Sequence, residues 1–388
     1  MRRWLRTVRV AALAAVGTVL LGAAAPAWQW SLPSWLPPPA VPADNPMTAA
    51  KVELGRYLFH DPRLSADGSM SCATCHEQAR AFTDGKAVST GVNGEVGTRS
   101  AMSLANVAYL PVLTWQNPQL TSLEVQALIP LFGEHPVEMG MAGREQHLFA
   151  MFRDDPTYRR LFARAFPEQA RQGDTALYTL ATLTRALASF QRSLLSFDSP
   201  YDRYRYGGQP NAISAAAKRG EDLFFGEKLE CYHCHGGFNF TDNVKHVRAP
   251  FPETGFHNTG LYNKDGKGAY PKASPGIVEF TGAPRDAGRF RTPSLRNVAV
   301  TAPYMHDGSI PTLSDVLRTH YARAGRAVHD GRPANPLRSE FIAGFEISEA
   351  EVADVVAFLE SLTDQTFLRN PAHSNPWGRS AERSHARR

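Results

Sequence analysis

The chain contains four cysteines, and all four lie in two short motifs that end in histidine. The motifs are Cys72-Ala73-Thr74-Cys75-His76 and Cys231-Tyr232-His233-Cys234-His235. Two thiols at this spacing can add to the two vinyl groups of one haem, and the histidine that follows can reach the iron axially. The sequence therefore predicts two covalently bound haem c groups.

A single motif of this kind could also be half of a zinc site or a redox-active cysteine pair. Two copies occur here, with no spare cysteine and no matching cluster of further ligands, which disfavours zinc. His76 and His235 are then the proximal iron ligands. The opposite face of each haem decides the chemistry, because two strong ligands give a closed redox centre, whereas an open face admits peroxide or oxygen.

Helical patterns surround both motifs and predict a mostly α fold. Apolar residues at helical spacing precede the motifs over 48–60 and 214–225, with Ser214 as the predicted cap of the second helix. Longer helical patterns cover 175–197 and 348–362, and Ser348 with Glu351 predicts a capping box at the start of the latter. Strand signals are few, and long loops rich in Gly and Pro are predicted at 84–98 and 249–291.

The two ends of the chain are basic, and its body is close to neutral. A net charge of +5 that lies partly at the ends argues against nucleic-acid binding. Arginines, an apolar stretch and Ala25-Pro26-Ala27 predict a signal peptide over 1–27 and export to the periplasm. An uncleaved anchor is the alternative because Trp28 follows, but the apolar run is short for a membrane span, and no stable span is expected after cleavage.

The segments after the signal divide the chain into four further parts. We predict a linker at 28–46, an N-terminal haem domain at 47–200, a C-terminal haem domain at 201–364 and a disordered basic tail at 365–388.

Several motifs resemble the bacterial di-haem cytochrome c peroxidase and MauG superfamily, from about residue 47 to 364. They are GRYLF at 55–59, DPRLS at 61–65, FHNTG at 256–260, FRTPSLRNV at 290–298 and TAPYMHDG at 301–308. The resemblance implies two cytochrome c-like haem domains packed around a shared interface. It also implies an N-terminal haem that binds H₂O₂ and a C-terminal haem that relays electrons.

In that superfamily a Gln, a Pro and a Glu line the distal pocket of the first haem, and Gln126, Pro130 and Glu138 match them. The loop between Pro130 and Glu138 is two residues longer than is usual. A Glu above an open haem can take a proton from peroxide and return it to the leaving oxygen. The alternative is a Gln on a helix surface and a Glu that caps a helix. Trp115 matches the Trp that lies between the haems, although a lone aromatic residue also fits a core position.

The second haem is where the superfamily divides. A Met caps it in conventional peroxidases, and a Tyr does so in MauG and its closer relatives. The segment 312–325 resembles the ligand helix and contains no Met, so Tyr321 is the predicted ligand. His320 is the alternative because it lies nearest the Met position by counting, and a surface position for Tyr321 is the third possibility.

The resemblance also implies a calcium ion between the haems. Backbone carbonyls at Thr301 and Pro303 would bind it, and Ser100 stands where an Asn is expected. Calcium needs six or more oxygens, so water could replace one of them.

Segments 113–118 and 133–140 most resemble the MbnH branch. Members are implied to oxidise a Trp of a separate copper-binding periplasmic protein to kynurenine, using H₂O₂ and a high-valent state shared by both haems. One alternative is a cytochrome c peroxidase that takes electrons from a small cytochrome c or cupredoxin. The other is a di-haem electron carrier without catalysis.

Overall fold

The computed structural model describes residues 28–325 and 332–378. The predicted signal peptide, 1–27, lies outside the described residues, as do the last ten residues of the predicted tail. No helix in the described ranges is both long and apolar enough to cross a membrane.

Helices in the first half of the chain build one helical domain. They are α1 (Ala49–Phe59), α2 (Cys72–Cys75), α3 (Leu123–Gln126), α4 (Leu128–Phe132), α5 (Glu145–Asp154), α6 (Pro156–Ala165), α7 (Pro167–Gln172), α8 (Asp174–Leu177) and α9 (Leu180–Arg192). The helix predicted over 175–197 is instead two helices, α8 and α9. The chain breaks between them because Thr179 leaves the helical conformation and caps α9 through the backbone N–H of Thr182.

Helices in the second half build a second domain. They are α10 (Pro200–Arg205), α11 (Ala215–Phe225), α12 (Tyr232–His235), α13 (Val278–Thr281), α14 (Leu313–Asp315), α15 (Glu349–Ser361) and α16 (Gln365–Leu368). The predicted caps are confirmed, since Ser214 accepts from the N–H of Ala217, and Ser348 and Glu351 form a capping box. A π-helical turn, Val316–His320, follows α14 directly.

The strands are short and pair with each other. β1 (Phe256–Asn258) runs antiparallel to β2 (Arg289–Arg291), with His257 opposite Phe290. The predicted mostly α fold is therefore confirmed. The two strands hold together the ends of the long loop that connects them.

The same close helix crossing occurs in both domains. A Cβ atom at Gly55 of α1 would lie 2.0 Å from the carbonyl oxygen of Ala186 in α9. A Cβ atom at Gly220 of α11 would likewise lie 2.0 Å from the carbonyl oxygen of Asp354 in α15. Only glycine permits this approach, so each helix that precedes a CxxCH motif is locked to a helix that follows it.

The two main apolar clusters follow the two domains. One cluster runs from Leu54 to Leu194 and includes Phe367 and Leu368 from the end of the chain, and the other runs from Tyr201 to Leu362. Buried amides join the domains, because the Asn106 amide donates to the Ser196 carbonyl at 3.1 Å and to the side chain of Asn239 at 3.0 Å. The bond to Asn239 ties the first domain to the second.

The segment predicted as a linker, 28–46, is packed against both domains. Leu36 is 4% exposed, and the Trp35 ring stacks on Tyr206 with 3.8 Å between ring centroids. The Tyr109 hydroxyl donates to the Pro37 carbonyl at 2.9 Å. The linker prediction was wrong here because aromatic residues of this segment find partners that are distant in sequence.

The tail that was predicted to be disordered from 365 is folded as far as 378. We call residues 365–378 the C-terminal strap. Its Phe367 and Leu368 are buried in the apolar cluster of the first domain, and Trp377 packs against Tyr57 and Tyr158. The prediction failed for these residues because a few apolar side chains anchor an otherwise polar sequence.

We expect acid to loosen the strap. Burial lowers the pKa of His373 to about 4, from about 6.5 in an unfolded chain. Between these values the unfolded chain binds a proton that the folded strap does not. Its local stability should therefore be constant above about pH 6.5 and should fall as the pH drops towards 4.

Amide exchange over 365–378, corrected for the intrinsic rate at each pH, measures this stability. Protection should fall from about pH 7 to about pH 5 in the natural protein, and His373→Leu should reduce this slope. The slope that remains belongs to His60, which bonds to the carbonyl of His373 and whose pKa is also lowered by burial. An equal slope in both proteins would contradict the assignment to His373.

Candidate functional site

The first CxxCH motif forms one helical turn that ends at a half-buried histidine. Ser71 and Thr74 make a capping box at its start, which orients the thiols of Cys72 and Cys75. The Nδ1–H of His76 donates to the carbonyl of Phe82 at 2.7 Å. Burial lowers the pKa of His76, so the ring is neutral and its Nε2 lone pair is left for a metal.

The second motif repeats this arrangement. The Nδ1–H of His235 donates to the carbonyl of Phe240 at 3.0 Å, and burial lowers the pKa of His235. Phe82 and Phe240 both have positive φ angles, of 65° and 50°, which turn their carbonyls back towards the histidines. A fixed Nδ1 donor is the usual outer-shell partner of a metal-binding histidine.

A cavity beside the second motif is lined by residues from both halves of the chain. The first half contributes Asp84, Lys86, Ser100, Met102 and Trp115, and the second half contributes Cys231, Cys234, His235, His257, Arg291, Thr301, Pro303, Met305, His306 and Tyr321. One wall of this cavity is therefore built by the N-terminal domain.

Arg291 gives an independent test of what this cavity can hold. Its guanidinium donates to the carbonyls of Thr114 and Thr292 and to the sulfur of Met102. In the described part of the chain no carboxylate lies within ion-pairing distance of it, and burial lowers its pKa to about 10. A buried, unpaired cation favours an anionic ligand, and haem carries two propionates. Haem c fits these residues.

The structure separates the two candidate ligands of the second haem. Tyr321 lies on the cavity wall, and its phenol is close enough to the thiols of Cys231 and Cys234 for their charge to raise its pKa, in addition to the larger effect of burial. His320 is fully buried and does not line the cavity. Met305 also lines the cavity, although it lies outside the predicted ligand helix.

The residues that match the distal pocket of the first haem lie on short elements. Gln126 ends α3, Pro130 lies in α4, and Glu138 lies in the loop that follows. Burial raises the pKa of the thiols of Cys72 and Cys75, and the nearby carboxyl of Glu138 adds a smaller effect in the same direction. Glu138 is an exposed residue of this loop, yet the protein that surrounds part of its carboxyl raises its pKa by burial.

A small hairpin holds the Glu138 loop in place. We call residues 89–97 the clamp hairpin. Its Val92 N–H donates to the Glu138 carbonyl at 2.8 Å, and its Glu95 carboxylate accepts from the Val137 N–H at 2.9 Å. A Cβ atom at Gly91 would lie 1.8 Å from the Val137 carbonyl oxygen, so only glycine permits this contact.

The remaining predicted residues share one wall of the cavity. The Trp115 Nε1–H donates to the Ser100 carbonyl at 2.9 Å, and the Ser100 hydroxyl donates to the Met305 carbonyl at 3.3 Å. Thr301 and Pro303 line the same cavity. Among the described residues no group of three or more acidic, His or Cys side chains could hold a metal, so calcium binding would depend on backbone oxygens and remains a prediction.

Two residues on the cavity wall were not assigned a role from the sequence. His257 donates to Asp242 at 2.6 Å, and its hydrogen bonds to Asp242 and Cys234 raise its pKa to about 10. Arg291 is the buried cation of the same wall. Both lie inside the motifs that carry the family resemblance, but only their contacts in the fold distinguish them from ordinary polar residues: the ion pair of His257 with Asp242 and the burial of Arg291.

Comparisons with known proteins find matches over most of the chain. A family model described as di-haem cytochrome c peroxidase matches residues 49–210, and one described as RoxA-like, cytochrome c-like matches 289–325. The methylamine utilization protein MauG of Methylophilus methylotrophus is 34% identical, over 87% of this chain and 90% of the relative. The cytochrome-c peroxidase IdrP1 of Denitromonas iodatirespirans is 36% identical, over 92% and 93% of the two chains.

A solved structure is also similar along the whole described fold. It is that of a MauG-like protein associated with microbial copper homeostasis, and it is 48% identical to this chain with a TM-score of 0.86. The match covers 90% of this chain and 100% of the other. The predicted pair of cytochrome c-like domains is confirmed. The chain belongs to the di-haem cytochrome c peroxidase family of haem-dependent oxidoreductases, and membership implies two covalently bound haem c groups.

Proposed function

We propose that this protein is an exported di-haem enzyme that uses H₂O₂ to oxidise a Trp side chain of a partner protein in the periplasm. One observation carries the proposal: the two haem sites are unequal. A carboxyl group lies beside the first motif, and a phenol faces the second. Haem c, when bound, supplies iron that accepts electrons from a donor and passes them to peroxide.

Glu138 would be the general acid–base residue for the peroxide. Its carboxylate takes the proton from one oxygen and returns it to the oxygen that leaves. Two electrons and two protons convert H₂O₂ into two molecules of water, and both electrons come from the partner protein. Gln126 and Pro130 would line the same pocket and position the peroxide.

Tyr321 would close the second haem. Burial raises the pKa of its phenol, so the phenol keeps its proton until a metal replaces it. A site closed by a phenolate cannot bind peroxide. It would instead hold one of the two oxidising equivalents, and Trp115 on the shared wall would help electrons cross between the sites.

The partner need not enter a pocket. Phe341 is 41% exposed and lines the cavity, and its ring stacks on His233 with 4.2 Å between ring centroids. The ring of His233 lies 4.3 Å from that of Tyr232. These aromatic residues offer a short path from the protein surface to the second haem. The similar protein associated with copper homeostasis favours a partner that handles copper.

A second candidate function is that of a conventional cytochrome c peroxidase, which draws electrons from a small cytochrome c or cupredoxin. The observation that favours it is Met305 on the cavity wall, because a thioether would give a relay haem of high potential. The IdrP1 relative bears the peroxidase name.

Addition of H₂O₂ to the fully oxidised protein tests the proposal. Optical and Mössbauer spectra should show a long-lived state in which both irons have changed. Immediate bleaching, or a need to reduce one haem first, would overturn the proposal and favour the conventional peroxidase.

The clamp hairpin should matter for the rate of this reaction. Gly91→Ala places a methyl group against the Val137 carbonyl and must displace Glu138, since the carbonyl belongs to the loop backbone. A displacement of this kind can cost about 100-fold in rate. The rate of the spectral change after peroxide addition measures the effect.

Gly97→Ala in the same hairpin is the matched control, because its new Cβ would meet the nearest atom, the Ser89 carbonyl oxygen, at 3.4 Å. Equal peroxide rates in the two variants would show that the hairpin does not position Glu138.

A further inference from the structure

The C-terminal strap contacts the turn that closes beneath His76. This turn runs from His76 to Phe82, whose carbonyl accepts the Nδ1–H of His76. The Gln78 amide, inside the turn, donates to the carbonyls of Phe367 at 3.3 Å and Asn370 at 2.9 Å. The strap therefore holds the middle of the turn through two hydrogen bonds.

The strap also holds the end of the turn. Three aromatic rings among the described residues pack on Phe82, which is itself fully buried, and they are Phe59, Phe367 and His373. Two of the three belong to the strap. The ring of Phe367 lies 5.6 Å from that of Phe82, and the ring of His373 lies 6.3 Å from it.

The outer part of the strap is tied to α1 and its end. His60 bonds through Nε2 to the carbonyl of His373 at 3.0 Å, and Arg56 donates to the carbonyl of Pro371 at 3.2 Å. The Trp377 Nε1–H donates to the carbonyl of Tyr57 at 3.1 Å. The strap is thus fastened along its length rather than at one point.

The second domain closes its equivalent turn without such a strap. Among the described residues, the rings that pack on Phe240 are Tyr201, Phe225 and Phe358, and all three belong to the second domain. Within the described ranges, the turn beneath His76 is held by residues that follow the second domain in the chain, and the turn beneath His235 is not. The two haem sites therefore differ on their proximal sides as well as their distal sides.

We propose that the C-terminal strap is a positioning element for the first haem, acting through Gln78 and Phe82 on the hydrogen bond of His76. A strong Nδ1–H bond makes the imidazole a better donor to iron and favours the oxidised metal. Loss of the strap contacts would weaken this bond and raise the reduction potential of the first haem. The inference goes beyond the proposed function, because it does not depend on which haem meets peroxide or on Tyr321.

The test compares two Phe→Leu variants of the holoprotein. Phe367→Leu keeps an apolar side chain but removes the ring from Phe82. Phe152→Leu changes an equally buried ring of the same domain that packs on Tyr158 and Phe162 instead. Both should lower the thermal stability, so that stability alone does not separate them.

A redox titration monitored by EPR does separate the two variants. In Phe367→Leu the reduction equilibrium of one haem should shift about tenfold towards the reduced form, or about 59 mV for one electron. Phe152→Leu should leave both haems unchanged. Phe225 packs on Phe240 of the second domain. Phe225→Leu should therefore shift the reduction potential of the other haem, which shows which EPR signal belongs to which haem.

If Phe367→Leu does not fold, a chain that ends at Asn370 is the second strap variant. This chain keeps the buried Phe367 and Leu368. It loses His373 and Trp377, and the same haem should shift in the same direction. Amide exchange over 76–82 should be faster in both strap variants than in Phe152→Leu. An unchanged potential in folded strap variants, or an equal shift in Phe152→Leu, would overturn the proposal.

Discussion

Glu138→Gln should slow the reaction of the holoprotein with H₂O₂ by about 100- to 10,000-fold, which is the usual contribution of a general acid–base residue. The amide has nearly the shape of the carboxyl but cannot take a proton from peroxide. The backbone contact between Val92 and Glu138 does not involve the side chain, so the loop should keep its position. Stopped-flow absorbance after mixing with peroxide gives the rate.

Glu134→Gln is the matched control, because Glu134 is an exposed carboxylate of the same loop. It should react at the natural rate. The natural protein should also lose rate at low pH, because burial raises the pKa of Glu138 and the carboxylate is the active form. A Glu138→Gln protein that reacts as fast as the control would remove Glu138 from the mechanism.

The haem-attachment sites could be predicted from the sequence because their chemistry is local. Two cysteines and a histidine within five residues fix a helical turn, whatever the rest of the chain does. The helices before each motif are also local, since their caps and apolar spacing lie within the segment. The contact that locks each of them, from Gly55 to Ala186 and from Gly220 to Asp354, joins residues more than 100 positions apart and could not be read from either segment.

The strap and the segment 28–46 were predicted incorrectly for the same reason. The strap is rich in polar residues, and the segment 28–46 is rich in proline, so neither composition is typical of a core. Their order depends on single anchors such as Leu36 and Phe367, which are buried by partners from distant parts of the chain. Composition averages over a segment, whereas burial is decided side chain by side chain.

The ambiguity between His320 and Tyr321 has a geometrical cause. Adjacent residues of a regular helix point about 100° apart, so an error of one position exchanges a cavity residue for a core residue. Counting along the chain favoured His320, but a π-helical turn ends at this residue. A π-helical turn accommodates an extra residue and shifts the register of the residues after it. Tyr321 is consequently the one that faces the cavity.

Tyr321→Phe should change the second haem strongly. Phenylalanine fills nearly the same space but offers no oxygen to the metal. Loss of an anionic ligand disfavours the oxidised iron, so the reduction equilibrium should shift tenfold or more, or at least about 59 mV upwards. EPR and resonance Raman spectra of the oxidised protein should lose the features of a phenolate ligand.

Met305→Leu and His320→Gln are the matched controls, and each tests a different candidate ligand of the second haem. If Tyr321 is the ligand, both leave the spectrum of the second haem unchanged. A spectrum that responds to Met305→Leu and not to Tyr321→Phe would mean a thioether-capped relay haem and would favour the conventional peroxidase. A response to His320→Gln alone would require His320 to leave its buried position when haem binds. The distal ligand of the second haem thus decides whether that haem stores an oxidising equivalent or only relays electrons. Substitutions at three positions within 17 residues identify this ligand.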